Sequence, residues 1–165
     1  MTFINARDIF ADIATRHRQI NSFGFGVLAD VASSGDVNYT LMWIEADGSV
    51  ARKGEVGYKF RVLVMDIIKK GKENEVDVLN DTHQIMLDVL AELNRAGNAQ
   101  TYPLRLKQNE TSLNYFIERF DEEVGGWEMV VTLWGRWDWD KCAIPFTGET
   151  TLALLAEDEN MLILE

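Results

Sequence analysis

Cysteine and proline are nearly missing from this chain: Cys142 is the one thiol among 165 residues, and there are two prolines. A lone thiol cannot close an intrachain disulfide, so the expectation is a chain held by its apolar core in a reducing cytoplasm. Cations are also scarce, with 16 Lys plus Arg against 27 Asp plus Glu and a formal net charge of −11. That balance opposes a surface built to grip phosphate backbones or anionic lipid, whose affinity comes from Lys and Arg. No apolar run approaches the ~18 residues of a membrane span. Met1 to Phe10 carries Asp8 and lacks an apolar stretch, so no secretory leader is expected there.

What remains is the composition of an ordinary folded domain, 47% apolar and 26% charged. Ala6, Ile9, Phe10, Ile13, Ala14 and His17 recur at helical spacing after a candidate N-cap at Asn5, which predicts an amphipathic helix of ~15 residues. Asn21-Ser22 and the glycines of Phe23-Gly24-Phe25-Gly26 read as its stop. Val27 to Val31 reads as a short strand or turn. Tyr39 to Glu45 and Tyr58 to Ile68 read as strands, joined by a polar hairpin loop from Asp47 to Gly57. Lys69 to Glu73 is a charged turn before a second helix, capped at Asn74 and stopped near Gly97. Leu79, Thr82, Met86, Val89 and Leu93 form its core stripe. Leu113 to Phe120 and Trp127 to Trp139 predict an antiparallel hairpin, and Cys142-Ala143-Ile144-Pro145 ends the sheet because proline cannot donate to a ladder.

Helices and strands in separate runs joined by hairpins imply an α+β fold, two helices packed on one face of a mainly antiparallel sheet. Residues 1–146 form the single predicted domain. Residues 147–165 alternate apolar and acidic stretches and form a C-terminal extension that docks on its own sheet or on a neighbouring subunit.

Chemical motifs are weak. Gly24, Gly26 and Ala29 have G-x-G-x-x-A spacing, but a dinucleotide loop needs a strand before it and a helix after it, and here a helix precedes. His17 and His83 fall on different helices outside any metal-spaced cluster, and Cys142 has no CxxC partner. Asp121, Glu122 and Glu123 lack the alternating ligands of a calcium loop. Asp138 and Asp140 share a face without a recognisable third group. No cofactor, metal ligand or catalytic residue is assigned, and the chain is read as non-enzymatic.

The tryptophans are less ordinary. Trp127, Trp134, Trp137 and Trp139 lie within thirteen residues, with Arg136 among them and Lys141 two residues beyond. Alternation puts Trp127, Met129, Val131, Leu133, Trp137 and Trp139 on one face and Trp134 with Val130 on the other. Such residues serve as core, as a subunit interface or as a ligand platform.

Several segments together resemble the tail-terminator, or tail-completion, proteins of tailed bacteriophages. They are the opening helix, Phe23-Gly24-Phe25-Gly26, the strand Asn38 to Glu45, and Phe60 to Ile68 leading into the helix Val76 to Leu93. Phe120 to Trp127, with its Asp-Glu-Glu-Val-Gly-Gly turn, and Cys142 to Pro145 complete the pattern. The resemblance covers most of residues 3 to 146. It implies an α+β virion subunit, assembled in the host cytoplasm, that forms a homo-oligomeric ring of about six copies by head-to-tail contacts. Such a ring caps the tail tube, joins the head–tail connector and lets DNA pass without specific binding. On that reading Trp134, Trp137, Trp139, Leu154, Leu155, Leu162 and Ile163 are the expected subunit or neighbour contacts. The alternatives are another neck, connector or tail-tube subunit, or a small-ligand or nucleic-acid binding module built on the Trp-rich strand.

Overall fold

The computed structural model describes residues 2–33, 37–98, 104–107, 110–119 and 122–137. Helix α1 spans Phe3–Arg16. Its N-cap is Thr2, three residues before the Asn5 expected from the sequence. The two form a reciprocal box: the Asn5 amide donates to Thr2 Oγ1 at 3.3 Å, and the Thr2 amide donates to Asn5 Oδ1 at 3.0 Å. The helix buries Ala6, Ile9, Phe10, Ile13 and Ala14, the predicted stripe, and ends with His17 as C-cap.

Phe23 and its neighbours do not simply stop that helix. Strand β1, Ser22–Phe25, pairs in parallel with β2, Leu41–Arg52, and the segment Leu28–Ser33 between them winds as a short 3₁₀ helix. The sequence reading missed β1 because two of its four residues are apolar aromatics but Gly24 breaks the usual strand composition. The reason for glycine there is a neighbour across the sheet. A Cβ on Gly24 would stand 2.1 Å from the Trp43 ring, which is 5% exposed and donates its indole N–H to the Gly26 carbonyl at 3.1 Å.

β2 runs antiparallel to β3, Glu55–Ile67, and the hairpin turn is only Lys53-Gly54, with Gly54 at φ 78°. The polar stretch Asp47 to Gly57 expected as a loop is therefore mostly strand. Propensity undervalues it because its ladder partners come from β3, and a register shift between Ala46 and Gly48 absorbs the extra residue. Helix α2 follows at Glu75–Asn98. The Asn74 carbonyl accepts from Val78 N, while its side chain ties the charged turn to β3 through Lys69 N and the Ile67 carbonyl. The two-residue β4, Arg105–Leu106, and β5, Leu113–Arg119, both pair with β6, Glu123–Arg136. β6 also pairs along its whole length with β3, so the order is β1-β2-β3-β6 with β4 and β5 sharing the outer position. One parallel pairing makes the sheet mixed; the rest is antiparallel.

The α+β architecture is as expected, with both helices on one face. Ala6, Phe10 and Ile13 of α1 and Ile85, Met86 and Val89 of α2 meet Met42, Ile44, Phe60, Val62, Val64, Met129, Val131 and Leu133 in one buried cluster. Among the described residues, the opposite face is covered at one end. There Leu41, Trp43, Leu63, Met65 and Val124 pack under Val31, Leu28, Val37 and Tyr39. Among the described residues, the distal part of that face has no layer over it.

Candidate functional site: the helix-free face of the sheet

Cross-strand register sorts this face into three zones. Nearest the 3₁₀ segment is the apolar zone around Trp43. Next comes an ion-pair row, Glu45, Arg61 and Glu128, which the ladder places on adjacent strands. Arg61 donates to Glu45 at 3.1 Å and to Glu128 through two guanidinium nitrogens. Burial alone would pull the Arg61 pKa down, but Glu128 and then Glu45 outweigh it and raise it overall. This row fixes the strand register by charge, since a shift of one residue would send Arg61 into the apolar cluster under the helices.

The third zone covers the β2–β3 hairpin tip and the end of β6. The Trp134 ring lies over Gly57, its cross-strand partner: a Cβ there would stand 3.0 Å from two of the ring atoms. The Arg52 guanidinium carbon is 4.1 Å from the Trp134 ring centroid, and the Lys107 ammonium is 5.9 Å away. Glu55 ties both cations together, accepting from Arg52 at 2.9 Å and from Lys107. Its carboxyl is held below the ordinary value by Lys107 first and Arg52 second, with burial opposing weakly. Register adds Arg136 opposite Glu55, Arg105 opposite Trp134 and Lys59 opposite Thr132, with Lys59 paired to Asp47 at 2.7 Å. Val50, 52% exposed, and Val130, 38% exposed, lie among these charges.

Trp134 therefore sits on the face opposite Trp127, as alternation predicted. Trp127 turns toward the helices, donating to the Leu79 carbonyl at 2.7 Å with His83 against its ring at a centroid distance of 4.6 Å. Trp137 lies just past the end of β6, 39% exposed, and its amide donates to the Gly54 carbonyl at 3.1 Å. The expected continuation of β6 to Trp139 stops at Arg136 in the described strand. Trp139, Leu154, Leu155, Leu162, Ile163, Cys142, Asp121, Asp138 and Asp140 lie outside the described residues.

Sequence reading did not single out Arg52, Glu55, Arg61, Arg105 or Lys107 as one surface. The available signal was i, i+2 spacing, in Lys59-x-Arg61, Arg105-x-Lys107 and Trp134-x-Arg136, each of which puts two groups on one strand face. Only the sheet order brings those faces together.

One hollow borders these features and another lies on the helix side of the sheet. One of about 560 Å³ opens between the end of β1 and the ion-pair row, lined by Phe25, Val27, Asp30, Glu45, Asp47 and Arg61 among others. A smaller one of about 240 Å³ lies between α1 and α2, where His17 Nε2 is 3.4 Å from Asp88 and Arg16 bridges to Glu92 at 3.0 Å. These are ion pairs from the C-terminal end of α1 to the interior of α2, and among the residues lining this hollow there is no nucleophile. Among the described residues no group of three or more His, Cys, Asp or Glu is gathered as a metal site. No helix of the described residues is long and apolar enough to cross a membrane. No protein-family model matches the chain, and no curated protein matches it.

Proposed function

We propose that this protein is a non-enzymatic assembly subunit of a bacteriophage tail, a tail terminator or related neck component that closes into a ring of about six copies on the tail tube. The observation that carries the reading is the pair of unlike sheet edges. Among the described residues, β2 beyond Phe25's partner Ile44 pairs only with β3, and β5 pairs only with β6. A ring requires two different complementary surfaces on each subunit, and two open edges on opposite sides of one sheet meet that requirement. The sequence resemblance over residues 3 to 146 supplies the phage context. Trp134, between β3 and β4 on β6, and Trp137, just past the end of β6, remain the proposed interface aromatics, together with Trp139, Leu154, Leu155, Leu162 and Ile163. The tail tube and the head–tail connector are the proposed partners, and the virion the proposed location.

Native mass across a range of concentrations tests this. The expected result is a discrete species near six times the 18.8 kDa chain mass. A tight dimer at every concentration overturns it. A second reading, a nucleic-acid or small-ligand module, draws on the cations around Trp134. Quenching of tryptophan emission by oligonucleotides or sugars in a protein that does not self-associate would favour it.

A further inference from the structure

The cationic zone is at odds with the charge of the chain as a whole. Arg52, Lys59, Arg105, Lys107 and Arg136 lie on one face of the hairpin arm, where Glu55 pairs with Arg52 and Lys107 and Asp47 pairs with Lys59. Elsewhere the chain is acidic, and the acid is unevenly placed. Residues 138–165 hold seven Asp plus Glu and the single Lys141, accounting for six of the eleven net negative charges. The same stretch is apolar on either side of its acids, at Leu152 to Leu155 and Met161 to Leu164 around Glu157-Asp158-Glu159.

We propose that this face is the seat of the chain's own acidic C-terminal extension, which folds back over the hairpin arm of the same subunit. Two features of the surface match two features of the segment. Its cations suit Glu157, Asp158 and Glu159, and its exposed apolar groups, Val50 and, opposite Arg61 further along β6, Val130, suit the flanking leucines. The point of departure favours the same chain over a neighbour. The Trp137 amide is bonded to the Gly54 carbonyl in the hairpin turn, so Trp137, the last described residue before the extension, lies at the edge of the cationic zone. A segment tethered to the same subunit meets that surface at an effective concentration above that of free copies in dilute solution. The inference leaves the two open sheet edges of the ring reading untouched, but it takes Trp134, Leu154, Leu155, Leu162 and Ile163 out of that reading's subunit interface and assigns them to a contact within one subunit.

Carbodiimide coupling of the unmodified full-length protein tests it, since this reagent joins a carboxylate to a lysine only where the two touch. The lysines divide usefully: Lys53, Lys59 and Lys107 belong to the arm, whereas Lys69, Lys70 and Lys72 lie in the turn at the far end of β3. The expected result is that Glu157, Asp158 and Glu159 couple to the arm lysines several-fold more than to the turn lysines. The linked material runs at monomer mass, and high salt suppresses it. Equal coupling to both lysine groups, or links found only at dimer mass, overturns the proposal. So does a labelled oligothymidylate that binds the full-length chain and is released by the double variant R52E/K107E, because the face would then belong to nucleic acid.

Discussion

Trp134 lies over Gly57 so closely that a methyl group at position 57 would meet the indole at 3.0 Å and Thr132 Cγ2 at 2.9 Å. The glycine is the floor on which the ring rests, and Arg52 stands over the ring. Gly57→Ala is thus expected to displace the ring while leaving the strand paired. The cost is about 1 kcal/mol, at the low end for overpacking because this end of the sheet is open. The urea midpoint and the tryptophan emission maximum, compared with Trp134→Phe, measure both parts; unchanged emission would mean the ring does not use that floor.

Gly24→Ala probes a tighter place. Its Cβ would fall 2.1 Å from a buried Trp43 ring that the 3₁₀ segment holds down from the other side. We expect a loss of about 1–3 kcal/mol and detachment of β1 from β2. Amide exchange of residues 22–25 reads the detachment directly, and retained protection there would contradict the packing described.

Removal of Arg61 leaves Glu45 and Glu128 facing each other across β3. Arg61→Met is expected to cost about 1–3 kcal/mol, less than a fully buried pair because the Arg61 side chain is 37% exposed. Adding Glu128→Gln should restore part of that loss. A double-mutant cycle on chemical stability checks the coupling, and additive effects would show that the row is not a unit.

Glu55 makes stability depend on acid. Its carboxyl lies below its ordinary value of 4.5 in the folded chain, chiefly through Lys107 and then Arg52. A depressed folded pKa stabilises the protein above the unfolded pKa, and that contribution disappears as pH falls through the folded value. The melting temperature of wild type should therefore exceed that of Glu55→Gln at neutral pH, and the gap should close on acidification below 4.5. A gap that persists or widens in acid would reverse the assignment.

Thr2→Ala removes the side-chain half of the α1 capping box and is expected to cost about 1 kcal/mol. Phe3 makes the loss visible beyond the helix, since its ring stacks on Phe60 at 5.3 Å and meets Tyr58 edge-on. Thermal unfolding of the variant, with Thr2→Ser as the conservative control, tests it.

The amphipathic stripes of α1 and α2, the opposed faces of Trp127 and Trp134, and the β5–β6 hairpin were all legible along the chain. Each depends on a period of 3.6 or 2 within one segment, and burial of one side enforces that period locally. Residues 46–52 and 55–57 were not legible as strand, nor was β1. Their strand character comes from ladder bonds to β3, β6 and β2, which override weak intrinsic preference. The same holds for the site. Composition and alternation determined an acidic chain with Trp134 on the sheet face opposite Trp127. Tertiary structure alone decided that Arg52, Glu55, Lys107 and Trp134 would meet, because sheet order sets strands distant in sequence about 5 Å apart.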